Sequence, residues 1–156
     1  MLRKILASGV AITTFNMAFA QDSTQVPALT ITGSADVYYK YNFEKNKSNN
    51  LTSFTNSHNS FELGMASVKL EHKTAKVDMV ADLGFGKRAQ EFSYNDQGIL
   101  AAIKQLYISY SHASWVKFTA GSWATHVGYE LVDASANRNY SMSYMFTNGP
   151  FFHTGI

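Results

Sequence analysis

Few side chains in this sequence could do covalent or metal chemistry, and they are poorly grouped. His58, His72, His112, His126 and His153 are scattered without any of the paired spacings that hold a metal ion. The absence of cysteine removes thiol nucleophiles, thiolate metal sites and disulfides together. No Gly-x-Ser-x-Gly turn or glycine-rich phosphate loop occurs. Ser122 and His126 share a side of an extended segment but lie too far apart for a nucleophile and its base. Neither an enzyme nor a cofactor is expected. What the sequence does offer is charge. Glu130, Asp133, Arg138 and Asn139 fall together in residues 128–148, a stretch that also carries Leu131, Val132, Met142, Tyr144, Met145 and Phe146. Acidic groups facing a basic one would lay a transverse field across a narrow passage and sort solutes by charge and dipole. The plainer account is a solvated loop with local ion pairs of small value. Against it, so many apolar residues in one loop need a surface to pack on.

A second set of charges, Asp36, Lys40, Asp78, Asp82, Lys104 and Lys117, points to the elements that must carry them. In residues 29–43, Leu29, Ile31, Gly33, Ala35, Val37, Tyr39, Tyr41 and Phe43 alternate with Thr30, Thr32, Ser34, Asp36, Tyr38, Lys40 and Asn42. That is the period of a strand with one uncharged face and one wet face. The run exceeds the usual strand of about 5 to 6 residues and reaches the roughly 9 to 11 that cross a bilayer at a tilt. A second strand is expected at residues 60–73. Its phase breaks: Phe61, Leu63 and Met65 favour one face and Ala66, Val68 and Leu70 the other, a pattern that a bulge or inward apolar residues near the loop end would reconcile. Residues 76–85, 105–111 and 116–125 give three more strands, and residues 151–156 open a sixth. Of the inward aromatics, Tyr38, Tyr107 and Trp123 could stack on sugar rings, although packing or plugging is the simpler role.

The connections alternate in length, long at 44–59 and 87–98, short at 73–76 and 112–114. Outer-membrane barrels show this asymmetry, with tight periplasmic turns and long external loops. With the N-terminus inside, Tyr41, Phe43 and Phe85 fall at the outer rim and Tyr110 and Trp115 at the inner one, as aromatic girdles do. Strands in hydrocarbon must pair every backbone polar group, so they span only as a closed sheet. Single-chain barrels begin at about eight strands, more than the five or six counted here. Either the chain is the N-terminal portion of a longer barrel, or several copies complete one as a homo-oligomer.

Composition agrees with an exported, strand-rich chain. Residues 1–20 read as a signal peptide: Arg3 and Lys4 are its positive start, residues 5–17 its apolar run and Ala18-Phe19-Ala20 its cleavage site. Of 13 basic side chains, the loss of Arg3 and Lys4 leaves 11 against 11 acidic ones. A neutral mature chain without a basic run gives nucleic acid no handle as a partner. The fold class expected is all-β, an antiparallel up-and-down transmembrane barrel present as an incomplete sheet over residues 21–156.

The wording grows specific toward the end of the chain: Lys104-Gln105-Leu106-Tyr107-Ile108-Ser109, Phe118-Thr119-Ala120-Gly121-Ser122-Trp123, Gly128-Tyr129-Glu130, Asn137-Arg138-Asn139-Tyr140-Ser141-Met142-Ser143 and Pro150-Phe151-Phe152-His153-Thr154-Gly155. It resembles the OmpL-like β-barrel porins over nearly the whole mature chain. The resemblance implies an outer-membrane channel for passive diffusion of small hydrophilic solutes, in contact with outer-membrane lipid, of which this chain is the N-terminal part. In porins at large the third external loop narrows the barrel, and residues 128–148 are third in order. Two other classes compete: a structural or adhesin barrel with a plugged lumen, and a soluble exported β-sheet that binds glycans.

Overall fold

The computed structural model describes residues 28–45, 52–94 and 96–156. The expected signal peptide, residues 1–20, lies outside them. In chain order the elements are β1 (Leu29–Lys40), β2 (Thr52–Ser53), β3 (Ser60–Lys73), β4 (Val77–Phe85), α1 (Lys87–Phe92), β5 (Ile103–Ala113), β6 (Val116–Ala124), β7 (Met142–Ser143), α2 (Tyr144–Thr147) and β8 (Phe152–Gly155). Six of the strands form one antiparallel sheet in the order β1-β3-β4-β5-β6-β8, while β2 and β7 pair separately. Each strand of the main sheet lies beside its predecessor in the chain, leaving out β2 and β7. The sheet is thus up-and-down and open, with β1 and β8 at its edges.

Local chemistry fixes the tight ends. Between β3 and β4, Thr74 N donates to Val77 O at 2.8 Å, and Val77 N donates to the Thr74 hydroxyl at 2.9 Å. At the far end β1 stops at Lys40, three residues short of the alternation. There Lys45 N donates to Asn42 O at 2.9 Å, and the Asn42 N–H donates to His58 Nδ1 at 3.2 Å, which turns the chain out of the ladder.

The broken phase of β3 is a bulge. Asp36 pairs with Met65 while Val37 pairs with Leu63, so Gly64 is the extra residue. Phe61 and Leu63 before it and Val68 after it all face one side and are exposed, whereas Met65 and Ser67 are buried on the other. Both reconciliations expected from the sequence therefore hold at once. A second shift, between Asp82 and Leu83 of β4, leaves Lys104 as the extra residue of β5.

One face of the sheet carries Leu29, Ile31, Val37, Tyr39, Phe61, Val68, Met79, Phe85, Leu106, Ile108, Tyr110 and Phe118, all exposed. The other face holds cross-strand polar partners, among them Ser34 and Ser67 (2.8 Å), Ser109 and Thr119 (2.8 Å), and an Asp78–Lys117 ion pair. The buried apolar cluster sits on this polar side. It is built from Phe54, Met65, Ala89, Phe92, Val132, Met142, Phe146 and Phe151, drawn almost wholly from the long connections.

Candidate functional site

The three long connections fold over the polar face at the end remote from the tight turns, and short elements inside them set the site. The first contributes β2, whose Thr52 and Ser53 pair with Ser143 and Met142 of β7 in the third. The second contributes α1. It starts at Gly86, whose φ of 118° is a left-handed conformation that side chains avoid, and it aims Arg88, Ala89 and Phe92 inward. The third connection carries α2, capped at its start by Ser143, whose hydroxyl accepts the Phe146 N–H at 3.2 Å.

Arg88 is the centre of this assembly, with 1% of its surface exposed. Its Nε donates to Val132 O, Nη1 donates to Tyr140 O at 2.7 Å, and Nη2 reaches Met142 Sδ at 2.9 Å. The guanidinium also lies 5.6 Å from the centre of the Phe54 ring and 5.3 Å from that of Tyr140, within cation–π range. Burial lowers its pKa, and Tyr140, Asp36 and Asp133 partly restore it, so one cation clamps three turns of the third connection to α1. Sequence reading missed Arg88. A six-residue helix gives too little periodicity to stand out, and Lys87, Arg88, Gln90 and Glu91 make the stretch look like solvated loop. The only available hint was Phe92 three residues beyond Ala89.

The predicted lumen-facing residues divide by partner. Asp36 accepts the Met65 N–H exposed by the bulge at 2.7 Å, and the Tyr140 hydroxyl donates to its other oxygen. Burial, and then that bond, push the Tyr140 phenol well above its usual pKa. A Cβ at Gly64 would overlap Tyr140 Oη and the Asp36 carboxylate, so any larger side chain there has to displace that pair. Lys40 donates to Thr55 O at 2.9 Å, tying β1 to the first connection. Lys104, buried by its bulge, lies 3.1 Å from Asp82 and 2.9 Å from Asp133, while Gln105 donates to the second Asp82 oxygen at 3.2 Å. Asp78 and Lys117 pair across the strands.

The four residues singled out in the third connection are dispersed. Asp133 is spent on Lys104. Glu130 accepts the Ser143 N–H at 3.0 Å and the Ser143 hydroxyl, bracing the start of α2. Asn139 is exposed and shares a concavity with Glu130, Tyr38 and Lys40. Arg138 is exposed and stands outside these networks. Two histidines that look unrelated in sequence meet instead: the rings of His126 and His153 stack at 4.9 Å, and His153 Nε2 lies 3.0 Å from the Thr125 hydroxyl. Among the described residues no group of three or more His, Asp or Glu side chains is arranged to hold a metal ion.

Consecutive antiparallel strands, tight turns at one end, inward-folded connections at the other and an apolar outer side define the sheet of a porin-type β-barrel. The chain belongs to the family described as "Putative beta-barrel porin-2, OmpL-like", whose profile matches residues 28–156. Searches of curated proteins and of solved structures returned no match.

Proposed function

We propose that the chain supplies the first strands of an outer-membrane porin that passes small hydrophilic solutes, exported by a cleaved signal peptide at residues 1–20. The observation that carries this reading is the division of the sheet into two solvents. The exposed face bears no Asp, Glu, Lys or Arg, whereas every charge of β1, β4, β5 and β6 lies on the opposite side with a polar partner. An aqueous protein would leave the first face wet, while a bilayer would cover it. Tyr41, Phe43, Phe85, Tyr110 and Trp115 are all exposed, as side chains at two membrane interfaces would be.

In this reading residues 128–148 narrow the passage, with Glu130, Asp133, Arg138 and Asn139 along it. Asp36 and Lys104 hold that connection through Tyr140 and Asp133, and Lys40, Asp78, Asp82 and Lys117 share their side of the sheet. The full-length protein in planar bilayers should then conduct small ions, and Arg138→Glu should move the reversal potential in a salt gradient toward cation preference. Unchanged selectivity would remove Arg138 from the passage. One observation favours the rival, a plugged structural barrel: the rings of Phe92 and Phe151 (5.8 Å) and of Phe146 and Phe151 (5.1 Å) stack on the polar side. Absence of any conductance from protein shown to be inserted would favour that account.

A further inference from the structure

His126 stands near the start of the third connection and His153 lies in β8 at its far end, and their rings meet with centres 4.9 Å apart and planes 25° from parallel. We propose that the pair binds one divalent first-row transition ion, such as Zn²⁺, Ni²⁺ or Cu²⁺, with water filling the remaining positions. The inference goes beyond the porin reading and stands on the geometry of β6 and β8 alone.

Two imidazoles that share an ion at about 2.0–2.1 Å have ring centres roughly 4.5–5 Å apart, the separation found between these rings. The χ2 torsion of histidine is soft, so each ring can turn to aim one lone pair at a common point while the backbone stays in place. That backbone is fixed: Trp123 pairs with His153, Ala124 pairs with Phe152, and the Thr125 N–H donates to Phe151 O at 3.0 Å.

His153 also has an oxygen beside it. Its Nε2 lies 3.0 Å from the Thr125 hydroxyl, which accepts the Val127 N–H at 3.1 Å. In the site Nε2–H donates to Thr125 and Nδ1 carries the lone pair; an oxygen partner of this kind orients metal-bound imidazoles generally. His126 is exposed and makes no hydrogen bond or ion pair among the described residues, which leaves its nitrogens open to an ion. Stacking alone is the plainer role, but phenylalanine would serve it, as it does between Phe92, Phe146 and Phe151. Imidazole suits Zn²⁺, Ni²⁺ and Cu²⁺, whereas Ca²⁺ and Mg²⁺ call for oxygen ligands.

The site is compatible with a closed barrel. His153 is in register with Trp123, which shares a side of β6 with Thr119, the partner of Ser109 on the polar face. A strand added beside β8 would bond to its backbone and leave this ring on the inner side.

The test is Cu²⁺ titrated into the detergent-solubilised full-length protein, read by isothermal titration and by pulsed electron paramagnetic resonance, which counts bound imidazoles. One saturable site with two imidazoles is expected, from which excess Zn²⁺ displaces the copper and Ca²⁺ does not. His126→Phe and His153→Phe keep the stack and remove the nitrogens, and circular dichroism should show both folded. Each should weaken the site by more than the roughly 10- to 100-fold that loss of an outer partner costs, and Thr125→Val, which removes that partner, should fall within the range. No saturable site, one imidazole in the parent, or equal affinity in His126→Phe and the parent overturns the proposal, and displacement by Ca²⁺ overturns the ion class. None of these results bears on conduction.

Discussion

Arg88→Ala isolates the joint on which the folded connections turn. The substitution removes the donors to Val132 O and Tyr140 O and the contact with Met142 Sδ, and it empties a site that is 1% exposed. One buried carbonyl, Val132 O, and one partly buried, Tyr140 O, each lose a charge-assisted bond worth about 1.5–3 kcal/mol. Part of that is offset, because the folded protein no longer desolvates a guanidinium, a cost evident in its lowered pKa. The net loss is on the order of 2–4 kcal/mol, and it falls on docking of the third connection. The six-stranded ladder contains no bond from Arg88, so the sheet should survive.

Hydrogen exchange reads this directly. The amides of Phe146, Asn148 and Gly149 bond only within the third connection, to Ser143, Tyr144 and Phe146. In Arg88→Ala they should exchange roughly 30- to 700-fold faster, at 1.4 kcal/mol per tenfold, while amides of β3, β4 and β5 keep their rates. Arg88→Lys retains a cation but not the fork, and should fall between. Loop amides accelerated by less than about threefold would show that the aromatic cluster docks the connection without Arg88. Equal acceleration in loop and strands would show that the clamp and the sheet are one cooperative unit.

Leu106→Arg places a charge at the middle of the exposed apolar face; it should cost about 2–4 kcal/mol of folding stability in lipid vesicles if that face meets acyl chains. Near neutrality, the norm for an exposed site in water, would refute the membrane orientation. Lys104→Met strands the buried Asp82 beside Asp133 and should destabilise by about 3–5 kcal/mol, and adding Asp82→Asn should return part of it, as a double-mutant cycle would measure. Glu91 in α1 has its pKa raised, first by burial and against the bond it accepts from Asn56, so its ionisation opposes folding. That opposition is absent below the unfolded pKa, grows between it and the raised folded one, and is complete above the latter. Glu91→Gln should match wild type in acid and become the more stable protein toward neutral pH in urea titrations, and an invariant difference would rule the effect out.

How much of this was legible in the sequence depends on how local its cause is. The strands β3, β4 and β6 fall within a residue or so of where the alternation puts them, because period two and turn chemistry are properties of neighbouring residues. The bulge left a mark too, since an extra residue reverses the phase, and Phe61, Leu63, Val68 and Leu70 record that reversal. What faces each inward charge was not legible. Asp133 meets Lys104 across 29 positions and Tyr140 meets Asp36 across 104. Such pairs depend on how the connections fold back, which no short window contains. Glu130, Asp133 and Arg138 looked like one opposed set because they are adjacent in the chain, yet each took a different partner or none of the networks described.

That dispersal shifts where any selectivity must come from. Asp78 and Lys117 compensate each other within a few ångströms and act at a distance as a small dipole, whereas Lys104 between Asp82 and Asp133 leaves one negative charge over. At physiological salt the field of an isolated charge already fades over about 8 Å, and that of a compensated pair fades sooner. A wall built this way is suited to anchoring connections, and it leaves a passing solute to respond mainly to groups outside the pairs. In the described part of the third connection those are Arg138 and the amide of Asn139, with the second lone pairs of Glu130. Under the porin reading, ions would respond to the negative charge left over beside Lys104 and to Arg138, which lies outside the pairs.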